Sequence, residues 1–114
     1  MATRTISNAG GNYNAVGAWV EGIVPTSADD VVATATSGQL TVNVSSAARS
    51  FDFTNYVNTL TMNAVLTASG VATQTFVSGM TITGTNNIQL TGAAAAITTN
   101  GKLIPNLLLT NNKT

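Results

Sequence analysis

Cysteine and histidine are both absent from these 114 residues, and only 7% of the chain is charged. Their absence excludes zinc sites of the usual kind, thiol nucleophiles and any His-based acid–base pair. The four cations, Arg4, Arg49, Lys102 and Lys113, are scattered and balanced by Glu21, Asp29, Asp30 and Asp52. Phosphate-backbone binding relies on clustered Lys and Arg, so nucleic acid is not an expected partner. Long apolar runs are missing too. Met1 to Tyr13 has no signal-peptide core and no stretch is long enough to span a membrane, so a chain with this native start is expected to be made in the cytoplasm without export.

What is present is an ordinary apolar content of 44%, enough to argue against disorder. With so few charges, the surface must be covered by hydroxyls and amides. Thr favours strands while Asn and Gly favour tight turns, so the polar inventory itself points to β structure. Short alternating segments recur from about residue 31: Leu40–Asn43, Phe51–Asn55, Leu60–Asn63, Met80–Gly84, Ile88–Gly92 and Leu107–Asn111. Period-two alternation marks a strand with one buried face, and no stretch shows a 3.6-residue stripe. Ala93–Ala96 is the exception, a possible helical turn that fits better as a tight spot needing small side chains.

With weaker segments at Gly70–Val71 and Ile97, the strand starts recur at a mean step of about 9.6 residues. That period fits a parallel β-helix with coils of roughly 20 residues. It also fits an antiparallel β-sandwich. The solenoid is preferred, because only Asn100-Gly101 offers the turn pair that two-residue hairpins favour. The expected core is Leu40, Val42, Val44, Phe51, Phe53, Leu60, Met62, Leu66, Met80, Ile82, Ile88, Leu90, Ile97, Leu107 and Leu109. The domain reading is an irregular N-terminal segment over 1–18, then a β-solenoid domain over 19–114.

Between those parts lies Trp19, Gly22, Pro25, Asp29, Asp30 and Val31, spaced W-x-x-G-x-x-P-x-x-x-D-D-V. This pattern resembles the entry segment of β-helix proteins in phage tail fibres, tailspikes and bacterial surface adhesins. Leu40-Thr41-Val42, Ala48–Phe53, Leu60-Thr61-Met62 and Pro105–Leu109 resemble the strand texture that follows it there. The resemblance covers most of the chain from Gly11 onward. It implies a solenoid whose first coil is covered at its open end, with Trp19 and Ile23 as cover residues and Gly22, Pro25, Asp29 and Asp30 as cap and turn positions. At the other end it implies a longer fibre protein or a covering partner beyond Thr114.

The function implied is that of a non-enzymatic virion part, a fibre, spike or attachment module assembled in the host cytoplasm. Its partners would be itself, as a homo-oligomer such as a trimer, other virion proteins, and a host surface glycan. No cofactor is expected. Two alternatives are a bacterial cell-surface adhesin module and a fragment of a polysaccharide-degrading β-helix enzyme.

Few residues invite chemistry. Asp29-Asp30 is the only acidic pair, a candidate calcium ligand or catalytic carboxylate, but it reads better as a turn before the strand starting at Val31. Trp19, Tyr13 and Tyr56 are candidates for stacking on sugar rings. Thr-x-Thr pairs occur at Thr34/Thr36, Thr59/Thr61, Thr73/Thr75, Thr81/Thr83 and Thr83/Thr85. On a flat solenoid face such pairs can bind ice. They do not recur at one coil period, so they read as ordinary outward strand positions.

Overall fold

The computed structural model describes residues 2–70, 73–92 and 96–109. Val71 and Ala93–Ala95, named above, lie outside the described residues, as do Thr110, Asn111 and Lys113. The chain winds as a three-sided parallel β-solenoid of about three turns. It opens with β1 (Thr3–Thr5) and β2 (Gly11–Asn12), so two segments of the N-terminal lead-in already belong to the first coil. The first full turn comprises β3 (Asp30–Val32), β4 (Leu40–Val42) and β5 (Ser46–Ala48). The second comprises β6 (Ser50–Asp52), β7 (Thr59–Met62) and β8 (Leu66–Ala68). The third comprises β9 (Gln74–Thr75), β10 (Thr81–Gly84) and β11 (Ile88–Leu90), after which β12 (Ile97–Thr98) and β13 (Leu107–Leu109) follow. Among the described residues no helix is long and apolar enough to cross a membrane.

Three sheets result, ordered β1-β3-β6-β9-β12, β2-β4-β7-β10 and β5-β8-β11-β13. Every pairing within them is parallel. Parallel neighbours need a long connection, which here is the rest of the coil. Leu40 stands against Leu60 and Leu60 against Ile82, 20 and then 22 positions on. The antiparallel sandwich is thereby excluded.

Side chains that alternate inward stack on their own kind. Leu40, Leu60, Phe51, Tyr56, Leu66 and Phe76 are all fully buried. Phe53 sits between Phe51 at 6.1 Å and Phe76 at 5.8 Å, forming an aromatic file along one corner of the column. Aromatic pairs at such spacing add about 0.5–1.5 kcal/mol beyond area burial. Gly84 continues the inward file of Val42 and Met62, with φ at 90°. A Cβ there would lie 2.3 Å from the Met62 carbonyl oxygen, so the coil can close down only on glycine.

Several core expectations need correction. Val44 is 42% exposed because it lies in the three-residue corner Asn43–Ser45, where strand alternation lapses. Leu109 is 44% exposed, and Leu107, Ile82 and Ile97 are only half-buried. In the third sheet Ile88–Leu90 and Leu107–Leu109 fall in segments expected as strands. Ser46–Ala48 and Leu66–Ala68 went unread as strands, because three residues with Ala at the inward end show little contrast. In the 70s the strand is Gln74–Thr75, a few residues beyond the expected Gly70–Val71.

Candidate functional site

At the amino-terminal end the free edge of β1 is covered at Thr5. After β2 the chain turns through a 3-10 turn at Val16–Ala18 and runs back antiparallel to β1, with Trp19 bridging Ile6. Val20 N–H donates to the Thr5 carbonyl at 2.8 Å, and Ser7 N–H to the Ala18 carbonyl at 2.8 Å. Glu21 completes the cover, its Oε1 accepting Thr5 N–H at 2.7 Å. Partial desolvation opposes ionisation of Glu21, but that hydrogen bond and nearby Arg4 outweigh it and hold its pKa below the usual value. Every strand-edge group that would template another chain at Thr5 is thus occupied.

The expected cap residues divide. Trp19 is buried at 2% exposure and packs edge to face on Tyr13, whereas Ile23 is 50% exposed and covers nothing. The turn explains this. Gly22, at φ 71°, closes it by donating to the Trp19 carbonyl, which leaves Ile23 pointing away from the column. Pro25 is buried on the return path to β3. Trp19, Tyr13 and Tyr56 cannot stack on sugars as presented, because all six aromatic rings of the chain are buried at 2% exposure or less.

Asp29 and Asp30 are both engaged by the chain itself. Asp29 Oδ2 accepts Thr26 N–H at 2.9 Å, Thr26 Oγ1 at 3.2 Å and Arg4 Nε at 3.3 Å. The Thr26 backbone bond chiefly, with Arg4 behind it, lowers its pKa. Asp30 reaches to the next coil, accepting Arg49 Nη2 at 2.7 Å and Ser50 Oγ at 2.6 Å, and the Arg49 bond lowers its pKa. The pair is a turn and a coil-to-coil clamp. Among the described residues no three acidic, His or Cys side chains meet as a metal site, and no cavity is present.

The remaining surface is sorted by sheet. Charged strand residues, Arg4, Asp30 and Asp52, all belong to the first sheet. The second and third sheets carry none in any strand. On the outward face of the second sheet, register places Thr59 beside Thr81 and aligns Thr41, Thr61 and Thr83 in one file. Thr59/Thr61 and Thr81/Thr83 therefore stack in register, 22 positions apart, although the five pairs share no single coil period. The other pairs behave differently: Thr34 and Thr36 bond each other in a loop, and of Thr73/Thr75 only Thr75 lies in a strand. Comparison with family models, with curated proteins and with solved structures returned no match.

Proposed function

We propose that this chain is a rigid, non-catalytic structural module of a bacteriophage virion, of the fibre or spike type, which works as a homo-oligomer beside other virion proteins. The observation that carries the reading is a parallel column closed at its amino-terminal end by the Ala18–Val20 segment. Backbone pairing in a fixed register from coil to coil gives a stiff element with a defined direction. The engagement of Asp29 and Asp30 by Arg4, Thr26, Arg49 and Ser50 supports a non-catalytic role. The burial of every aromatic ring weighs for a scaffold over a glycan-stacking attachment site.

Quantitative mass spectrometry of particles purified from producing cells tests the proposal. The protein is expected at a constant copy number per particle across preparations, with immunogold labelling on the particle surface. Recovery only with the bacterial envelope would point to the adhesin alternative and overturn the virion assignment.

A further inference from the structure

We propose that Asn100 is a site of spontaneous modification, converted to aspartate and isoaspartate in the folded protein. The inference is independent of the virion reading and stands on the geometry of one turn. Asn100-Gly101 is the single Asn-Gly pair in the chain. It lies between β12 and β13 with φ at 50° and 82°, and Lys102 N–H closes the turn on the Thr99 carbonyl at 2.9 Å. Two consecutive left-handed residues are what a type I′ turn requires, and Asn-Gly supplies them. Here the pair turns a corner of the coil and not a hairpin.

Asn is among the thermolabile residues, and its fate depends on the backbone nitrogen that follows it. When that nitrogen loses its proton it bonds to the Asn Cγ, closing a cyclic imide. The Cγ–Nδ2 bond breaks and ammonia leaves. Water then opens the imide at either carbonyl, giving aspartate or, with the backbone rerouted through Cγ, isoaspartate. Both residues of this turn are exposed, and nothing lies within 4 Å of the place a Gly101 Cβ would take. Gly101 N–H has no acceptor among the described residues, so neither a side chain nor a hydrogen bond holds its nitrogen back. Other Asn residues differ. After Asn14 the nitrogen of Ala15 donates to the Asn12 carbonyl at 3.0 Å, and after Asn58 that of Thr59 donates to Asn58 Oδ1 at 2.9 Å.

The nitrogen that leaves is also the one that ties this turn down. Asn100 Nδ2 donates to the Phe76 carbonyl at 2.8 Å, 24 positions back along the chain. Phe76 N–H donates to the Thr98 carbonyl at 2.8 Å, so the side-chain amide adds one more rung to the pairing of β9 with β12. Phe76 itself is fully buried against Phe53. A carboxylate accepts hydrogen bonds and donates none. It repels the Phe76 carbonyl where the amide bonded it, and the modification thereby unties β12 from the coil beneath. It also adds one negative charge to a chain whose formal net charge is zero.

The test is a timed incubation of the full chain in warm, mildly alkaline buffer, read by isoelectric focusing and by peptide mapping with isoaspartate detection. Asn100→Gln, whose longer side chain closes an imide far more slowly, and Asn100→Asp run beside it, with folding checked by circular dichroism. The wild type is expected to gain an acidic band and to carry isoaspartate at position 100 ahead of Asn14 and Asn58. Its rate should rise with pH, because the attacking nitrogen must lose a proton. Asn100→Gln should gain no such band. Amide exchange at Phe76 should quicken in the wild type as conversion proceeds, and in Asn100→Asp from the start. An Asn100 still intact in the folded chain when the urea-unfolded chain has lost its own overturns the proposal, as does earlier conversion at Asn14 or Asn58. Unchanged exchange at Phe76 in a folded Asn100→Asp overturns the untying of β12.

Discussion

Trp19 Nε1 donates to the Tyr13 carbonyl at 2.9 Å while the two rings meet edge to face at 5.0 Å. Tyr13 in turn donates its hydroxyl to the Ala47 carbonyl at 3.1 Å, anchoring the cap to the third sheet. Through these two contacts a segment of irregular chain becomes the lid of the column.

Replacing Trp19 with Ala should cost about 3–5 kcal/mol, the range for deleting a buried large aromatic. Trp19→Phe keeps the ring but orphans the Tyr13 carbonyl, for a loss of about 1 kcal/mol. Urea unfolding measures both. Sedimentation should show association for Trp19→Ala, whose β1 edge is less well covered.

Gln74 replaces a backbone partner in the first sheet. Its side chain is fully buried and its Oε1 accepts Phe51 N–H at 2.6 Å. Gln74→Leu should therefore destabilise by about 1–3 kcal/mol despite being more apolar, since it leaves that N–H unsatisfied. Denaturant midpoints would reveal this, and an unchanged midpoint would refute it.

Tyr56 does similar work at a corner. Its hydroxyl accepts Leu40 N–H at 3.2 Å and faces the carbonyls of Gly38 at 2.7 Å and Thr59 at 2.9 Å. Burial raises its pKa to about 12. Tyr56→Phe should lower stability by about 1–3 kcal/mol, with amide exchange quickening at Leu40.

Acid should loosen the amino-terminal half first. Glu21, Asp29 and Asp30 all have folded pKa values below their unfolded ones. The unfolded chain then binds more protons in that window, so stability is present above the unfolded values near 4 and falls as pH drops through the lower folded ones. Thermal melting between pH 6 and pH 2 should show a level midpoint down to about pH 4 and a decline below. Asp30→Asn should flatten part of it.

Legibility differed sharply between parts of the molecule. Leu40, Leu60 and Ile88 were readable as core because each alternates with polar neighbours inside one strand. Ala48 and Ala68 are as deeply buried but show no such contrast, and Ser37, Ser50 and Gln74 are buried polar residues whose partners lie elsewhere in the chain. Trp19 stood out as the only one of its kind, yet nothing nearby in sequence separated it from Ile23. The difference comes from the Gly22 turn.

Alternation and turn chemistry were enough by themselves to specify short strands at a period of about 10 residues, and the scarcity of hairpin pairs favoured a parallel coil over an antiparallel sandwich. Each of these signals acts over a few bonds. Which threonine stands beside which was decided only by the closed column. Coils of 20 and 22 residues stack in the same register because the corners absorb the difference, so the pairing cannot be counted off from one fixed period. That is why Thr59/Thr61 and Thr81/Thr83, unremarkable as text, become a grid in three dimensions. The lid was decided in the same way, since Ile6 and Trp19 meet only after the chain has turned back across its own first strand.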